Sequence, residues 1–174
     1  MNDFYKQLIA KSWIVVAIVT LLSILQLVTS YFSKTEILTY AISVVAFIKI
    51  ALVVQLSFKQ LTKIIGQTHL ITHILTLFTF LIGLIIISFT IDYAALYLNS
   101  ADSFKISSQS MIATGAVLYE FLYFSTITFS SVGYGDTVPV SVAAKLIVML
   151  QVAVRFFVLV FGIANINQIK VNQK

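Results

Sequence analysis

Four apolar stretches leave this chain little choice of fold class. Ser12–Phe32, Ile37–Phe58, Leu70–Leu98 and Val142–Ile166 each meet the roughly 20 residues that a hydrocarbon core about 30 Å thick requires of a helix. In lipid every backbone N–H and C=O must find its partner inside the segment, so such stretches are helices. The third is about 43 Å long by helical rise and must tilt or protrude. Composition agrees, since 60% of the 174 residues are hydrophobic and 10% charged, with a mean hydropathy of +1.03. That leaves too little polar surface for a water-soluble fold. The expectation is an all-α membrane protein with four transmembrane helices.

A fifth apolar stretch, Val117–Ser130, spans only about 21 Å as a helix and cannot cross. It reads as a re-entrant half-helix, tolerated where protein shields its end. Its carboxyl end, Thr128 to Ser130, directs the negative pole of the helix dipole at whatever lies beyond, which favours a cation. Directly after it comes the one ordered polar constellation in an otherwise apolar chain: Ser131, Val132, Gly133, Tyr134, Gly135 and Asp136. Replacing the hydration shell of a monovalent cation takes oxygens, and a ring of backbone carbonyls supplies them without a full charge. Carbonyls of a strand turn to one side only if alternate residues accept unusual backbone angles, which Gly133 and Gly135 do at no steric cost. The Tyr134 ring is expected to point outward and wedge against surrounding helices, and the Ser131 hydroxyl adds a ligand at one end. A single chain supplies one strand, so a closed ring needs several copies.

The run Thr126-Ile127-Thr128-Phe129-Ser130-Ser131-Val132-Gly133-Tyr134-Gly135-Asp136 resembles the signature of the potassium channel pore-loop superfamily, usually Thr-x-Thr-Thr-x-Gly-Tyr-Gly-Asp. In that superfamily the carbonyl ring is an established mechanism. The resemblance implies a two-helix pore module of bacterial type, here behind two additional helices, assembled as a homotetramer. Potassium would lie on the four-fold axis, held by Ser131, Val132, Gly133, Tyr134 and Gly135. Ser130 and Ser131 replace Thr-Thr, keeping the hydroxyls but losing the β-branch that stiffens the rotamer. By the same resemblance Glu120 is the acid that opens the pore helix, and Tyr123 and Phe124 are the aromatic cuff around the filter. Tyr123 is expected to hydrogen-bond Asp136 and brace the filter from behind. Pro139-Val140-Ser141 and Lys145 match the outer start of the inner helix, with Ser141 positioned to cap it. In that register Phe156, Leu159, Ile163 and Asn167 line the inner cavity and mouth. Arg155 then occupies the position of the hinge glycine, with Gly162 an alternative flex point. An arginine near mid-membrane needs a partner; Arg155 is expected behind the inner helix, bonding pore-helix or inner-helix oxygens, with Gln151 one turn away on the same face. The resemblance covers best Leu118 to Lys145 and does not reach the first two spans.

Charge asymmetry sets the orientation. With the N-terminus inside, Lys6, Lys11, Lys59, Lys63, Lys170 and Lys174 are cytoplasmic, against Lys34, Lys105 and Lys145 outside, in accord with the positive-inside tendency. Lys6 and Lys11 before an apolar run also fit a secretory signal, but the run is long and no Ala-x-Ala site comes after it, so a retained span is expected. The second span carries Lys49 alone, too little charge for a voltage sensor, and it is expected along a helix interface or snorkelling toward headgroups. His69 and His73 lie one turn apart as interfacial polar residues, with pH-sensitive gating the lesser alternative. Thr76, Thr79 and Gly83 are expected to form a packing face. Asp92, Asp102 and Lys105 are expected to be solvated.

The organisation expected is residues 1–66 as two N-terminal helices and 67–174 as the pore domain, in the plasma membrane as a multi-pass protein with both termini cytoplasmic. The net charge of +5 is dispersed between apolar segments, so no nucleic acid is implied. Partners are the bilayer, identical subunits and potassium ions, with no small-molecule substrate and no cofactor. Nothing pairs a nucleophile with a base, so no enzyme is expected. Three functional readings stand: a potassium channel, a weakly selective monovalent cation channel suggested by Ser130 and Ser131, and a non-conducting regulatory or scaffold subunit suggested by Arg155.

Overall fold

In the computed structural model the described backbone comprises residues 2–65, 71–107 and 114–166, and the described side chains 13–55, 75–107 and 115–160. Three residues, Ser33 to Thr35, separate the first two helices, α1 (Asn2–Phe32) and α2 (Glu36–Ile65). Thr35 starts α2 as an N-cap, its Oγ1 accepting from the N–H of Leu38 at 3.3 Å, and Glu36 comes next in the first turn, where the positive pole favours an acid. Both helices outrun the apolar spans read from the sequence, because the flanking polar residues include good helix formers such as Lys6, Gln7 and Lys59. α3 runs from Ile71 to Asn99 and α5 from Val142 to Ile166, close to the expected third and fourth spans. All four contain windows long and apolar enough to cross a membrane.

Between α3 and α5 lie a single 3₁₀ turn (Ala101–Ser103), a strand β1 (Phe104–Ile106), the helix α4 (Thr114–Ser130) and a strand β2 (Thr137–Pro139). The strands pair antiparallel, Phe104 opposite Pro139 and Ile106 opposite Thr137. β1 lies just past the end of α3 and β2 precedes the start of α5. Their pairing therefore makes α4 and the segment after it an excursion that leaves and returns at one end of the bundle. α4 has 17 residues, three more than expected, yet at about 25 Å it is still too short to span.

α3 is the hub. Its buried face, Leu77, Leu81, Ile85, Phe89 and Tyr93, meets α1 and α2 on one side and α4 and α5 on the other. Two residues of the small and hydroxyl face expected to pack, Thr79 and Gly83, leave open space beside them within the chain. Thr79 is exposed, its hydroxyl bonded to the Leu75 carbonyl of its own helix at 3.0 Å, and a Cβ at Gly83 would meet nothing within 4 Å. Large apolar side chains remove more area from lipid or water than small ones, and here they set the rotation of the helix. At the end bearing the α1–α2 turn, Asn99 pins the hairpin to α3, its amide donating to the Thr35 carbonyl at 3.1 Å and Thr39 Oγ1 at 2.8 Å and its oxygen accepting from Thr35 N–H at 3.2 Å.

Candidate functional site

α4 ends in a left-handed residue. Ser131 has φ 58°, its N–H donates to the Thr128 carbonyl at 3.1 Å, and the N–H of Val132 reaches the Ile127 carbonyl at 3.0 Å. This is the Schellman pattern, in which a left-handed residue just past the helix lets two N–H groups turn back onto otherwise unpaired carbonyls. Glycine usually takes that position; a serine there costs about 1–2 kcal/mol of backbone strain. Left-handed angles recur at Gly133 (φ 60°) and Gly135 (φ 80°). Positive and negative φ thus alternate from Ser131 to Gly135, and the pattern takes in a residue that the glycines alone did not reveal.

This segment is fastened at its far end. Asp136 accepts from the hydroxyl of Tyr123 on α4 at 2.6 Å through Oδ2, and from the N–H of Thr137 at 3.0 Å through Oδ1. Its carbonyl accepts from the N–H of Ser107, just past β1, at 2.9 Å. The Tyr123 hydrogen bond, with help from the Thr137 N–H, holds the Asp136 carboxyl below its ordinary range. The same bond pushes the Tyr123 hydroxyl up to about 12. The contact expected between Tyr123 and Asp136 is therefore made.

Phe124, with no polar group to bond Asp136, lines the groove shared by Ser131, Gly133 and Gly135. It is buried against Tyr93 (ring centroids 5.1 Å apart) and Phe104 (5.8 Å), in an aromatic cluster with Phe121 that locks α4 onto α3 and β1. Edge-on contacts such as these are favoured by the ring quadrupoles. Glu120 is displaced from its expected position. α4 begins at Thr114 and has no acid in its first turn, so Glu120 gains nothing from the positive pole. Its carboxylate instead accepts from Thr137 Oγ1 at 2.8 Å, tying α4 to β2. Ser130 donates back to the carbonyls of Thr126 (2.9 Å) and Ile127 (3.2 Å). The Tyr134 ring is 71% exposed and Val132 51%, so no helix of the same chain receives the tyrosine.

α5 starts as expected, with Ser141 Oγ accepting from the N–H of Ala144 at 3.1 Å. One face of it approaches the 131–135 segment, where Val148 and Val152 share a groove with Thr128, Ser131 and Gly133. Gln151 is fully buried. Its Oε1 accepts from the Tyr93 hydroxyl at 2.6 Å and its Nε2 donates to the carbonyl and the hydroxyl oxygen of Ser125, each at 2.9 Å. Ser125 in turn donates to the Ile86 carbonyl at 2.9 Å. A glutamine, a tyrosine and a serine from three helices form one satisfied network, which no sequence motif announced.

Arg155 does not make the expected bonds to pore-helix or inner-helix oxygens. It is half-buried, its guanidinium carbon lies 5.2 Å from the ring centroid of Phe156, and among the described residues it has no hydrogen bond or ion pair. Phe156 and Leu159 are exposed along α5. Asn167 and His69 lie outside the described residues, and Gly162, Ile163 and His73 are described in backbone only.

One sequence reading is corrected on α3, and one on α2 is narrowed to a single outcome. Asp92 is not solvated but fully buried, and Lys49, equally buried, donates to its Oδ1 at 2.6 Å. Lys49 also donates to Ser23 Oγ on α1 at 3.0 Å. It lies in a helix interface, as expected, and does not snorkel. Gln26, whose Nε2 reaches the Ile42 carbonyl at 3.2 Å, belongs to the same seam. Among the described residues no group of three or more His, Cys, Asp or Glu could hold a metal ion.

Four helices long and apolar enough to cross a membrane, a short helix packed on α3 and α5 and a segment of alternating handedness after it give the chain the form of a multi-pass membrane protein. Residues 94–171 match a family model described as ion channel, so over that segment the chain is similar to ion channels. No curated protein and no solved structure matches the chain.

Proposed function

We propose that four copies of this chain form a potassium-selective channel of the plasma membrane, with both termini cytoplasmic and the β1–β2 mouth outside. One observation carries the proposal: left-handed φ at Ser131, Gly133 and Gly135, every second residue along the segment that leaves α4. Alternating handedness turns successive carbonyls toward the same side, which is what a row of ion ligands requires. The ligands are the carbonyls of Ser131, Val132, Gly133, Tyr134 and Gly135 with the Ser131 hydroxyl, and no cofactor is needed beyond the permeant ion. Symmetry fits the exposure, since the open Tyr134 and Val132 side chains find their packing partners on neighbouring copies. Tyr123, Asp136, Glu120 and Thr137 hold the row at the mouth, while Phe156 and Leu159 face the inner passage.

A second reading, a weakly selective cation channel, is favoured by Ser130, whose hydroxyl is spent on its own helix and so contributes nothing to the ring. Potassium flux into liposomes containing only this chain tests the proposal, and reversal potentials in mixed potassium and sodium solutions separate the two readings. Flux with a reversal potential tracking potassium is expected. Flux that tracks both ions equally favours the second reading, and absence of flux leaves only a regulatory or scaffold role.

A further inference from the structure

Asp92 and Tyr93 are neighbours in sequence, about 100° apart around α3, and both are fully buried. They face different partners. Asp92 turns into the seam between α1 and α2, where Lys49 and Ser23 hold it. Tyr93 turns the other way, to Gln151 on α5 and through it to Ser125 on α4. Ser125 lies a little under two turns before the left-handed end of α4, so one short piece of α3 stands between a buried ion pair and the helix that presents the ion-ligand row.

From this juxtaposition we infer that Lys49 and Asp92 are positioning residues of the conduction pathway: the α1–α2 pair sets the rotation of α3 through their ion pair, and Tyr93 and Gln151 pass that setting to α4. The inference rests on the channel reading above. It assigns the two N-terminal helices a part in conduction that their hydropathy does not suggest. The physical reason is that both links are short, buried and directional. An ion pair at 2.6 Å in a medium of low dielectric holds α2 and α3 in one register far more tightly than apolar contact, which tolerates sliding. On the other side, Gln151 has both ends of its amide engaged and cannot accommodate a shift of Tyr93 without leaving a buried partner unpaired. The seam also carries buried oxygens without a hydrogen-bond partner, Asp92 Oδ2, Gln26 Oε1, Ser30 Oγ and Ser88 Oγ. Polar groups are costly at this depth, and a purely structural interface would be served by apolar side chains.

The test is single-channel recording of the full chain in planar bilayers, with the native protein, Lys49→Met, Tyr93→Phe and the two combined. Lys49→Met is expected to shift the ratio of open to closed time by about two- to thirty-fold, the range found for residues along coupled networks. Tyr93→Phe should shift it comparably, and the combination should be no worse than the larger single effect, because either change cuts the same link. If Lys49→Met does not assemble, the neutral pair Lys49→Met with Asp92→Leu replaces it and the same non-additivity with Tyr93→Phe is expected. Gating unchanged in these variants, with only thermal stability lowered, overturns the inference, as do two effects that simply multiply. A native chain that passes no potassium instead removes the channel reading itself, so the two failures are distinguishable.

Discussion

Asp92 and Asp136 each accept a hydrogen bond at 2.6 Å, one from a lysine in a sealed seam, the other from a tyrosine at a mouth. Asp136 sits beside its own turn, with Thr137 N–H as a second donor, and is half-open. Asp92 has no exposure and one of its oxygens is unpaired. The contrast teaches that bond length alone says little about worth. Burial makes the first contact a condition for packing three helices, whereas the second adjusts the shape of a segment already built by its backbone.

The comparison breaks most readily in the seam. Lys49→Met or Asp92→Leu alone strands a buried charge and should lower unfolding stability in detergent by about 3–5 kcal/mol. Replacing both together should recover most of that loss, because an apolar pair needs no compensation. If the single and double variants melt alike, the ion pair is not what holds the seam. Next in size, Gln151→Leu unpairs the Tyr93 hydroxyl, while Ser125 keeps its bond to the Ile86 carbonyl, and should cost about 1–3 kcal/mol for the buried group left without a partner, read by the same melting measurement.

At the mouth the expected losses move from stability to conduction. Gly135→Ala meets no steric obstacle and costs about 1–2 kcal/mol in backbone strain alone; it should assemble yet lose most potassium flux. Ser131→Gly should do the reverse for stability, relieving strain of about 1 kcal/mol, while weakening flux by removing a hydroxyl.

The smallest effect concerns pH. Asp136 is held below its ordinary value of 3.8, so its bond to Tyr123 is complete above that value and is lost only as pH falls through the depressed one. Tyr123, raised from 10.0 to about 12, contributes below pH 10 and stops donating as pH rises through about 12. Flux should therefore be flat from about pH 5 to 9 as far as this brace is concerned. Tyr123→Phe should alter inactivation or selectivity at every pH in that range. A native titration step near neutrality that vanishes in Tyr123→Phe would contradict this assignment.

Much of the pore half was legible because its signals are local. Gly133 and Gly135 declare their backbone angles by having no Cβ, Ser141 caps the helix that begins one residue later, and the length of an apolar run decides whether it can cross. Glu120 was misplaced because a helix start cannot be read to within a turn from hydropathy, and three extra residues at the front of α4 were enough to void the dipole argument. Arg155 was given bonds that it does not make among the described residues for a different reason: its register was carried from a resemblance, and a side chain that long can satisfy itself on an adjacent ring.

By itself, then, the order of residues determined that four helices are long and apolar enough to cross, that a fifth is not, and that the chain turns left-handed at Gly133 and Gly135, since each of these depends on a residue and its near neighbours. Only the folded chain decided that Lys49 meets Asp92 across 43 positions, that Tyr93 meets Gln151 across 58, and that Phe124 also packs on Tyr93 and Phe104. Such meetings depend on how each helix is rotated about its axis. That rotation is set by the packing of whole faces rather than by any short stretch of sequence.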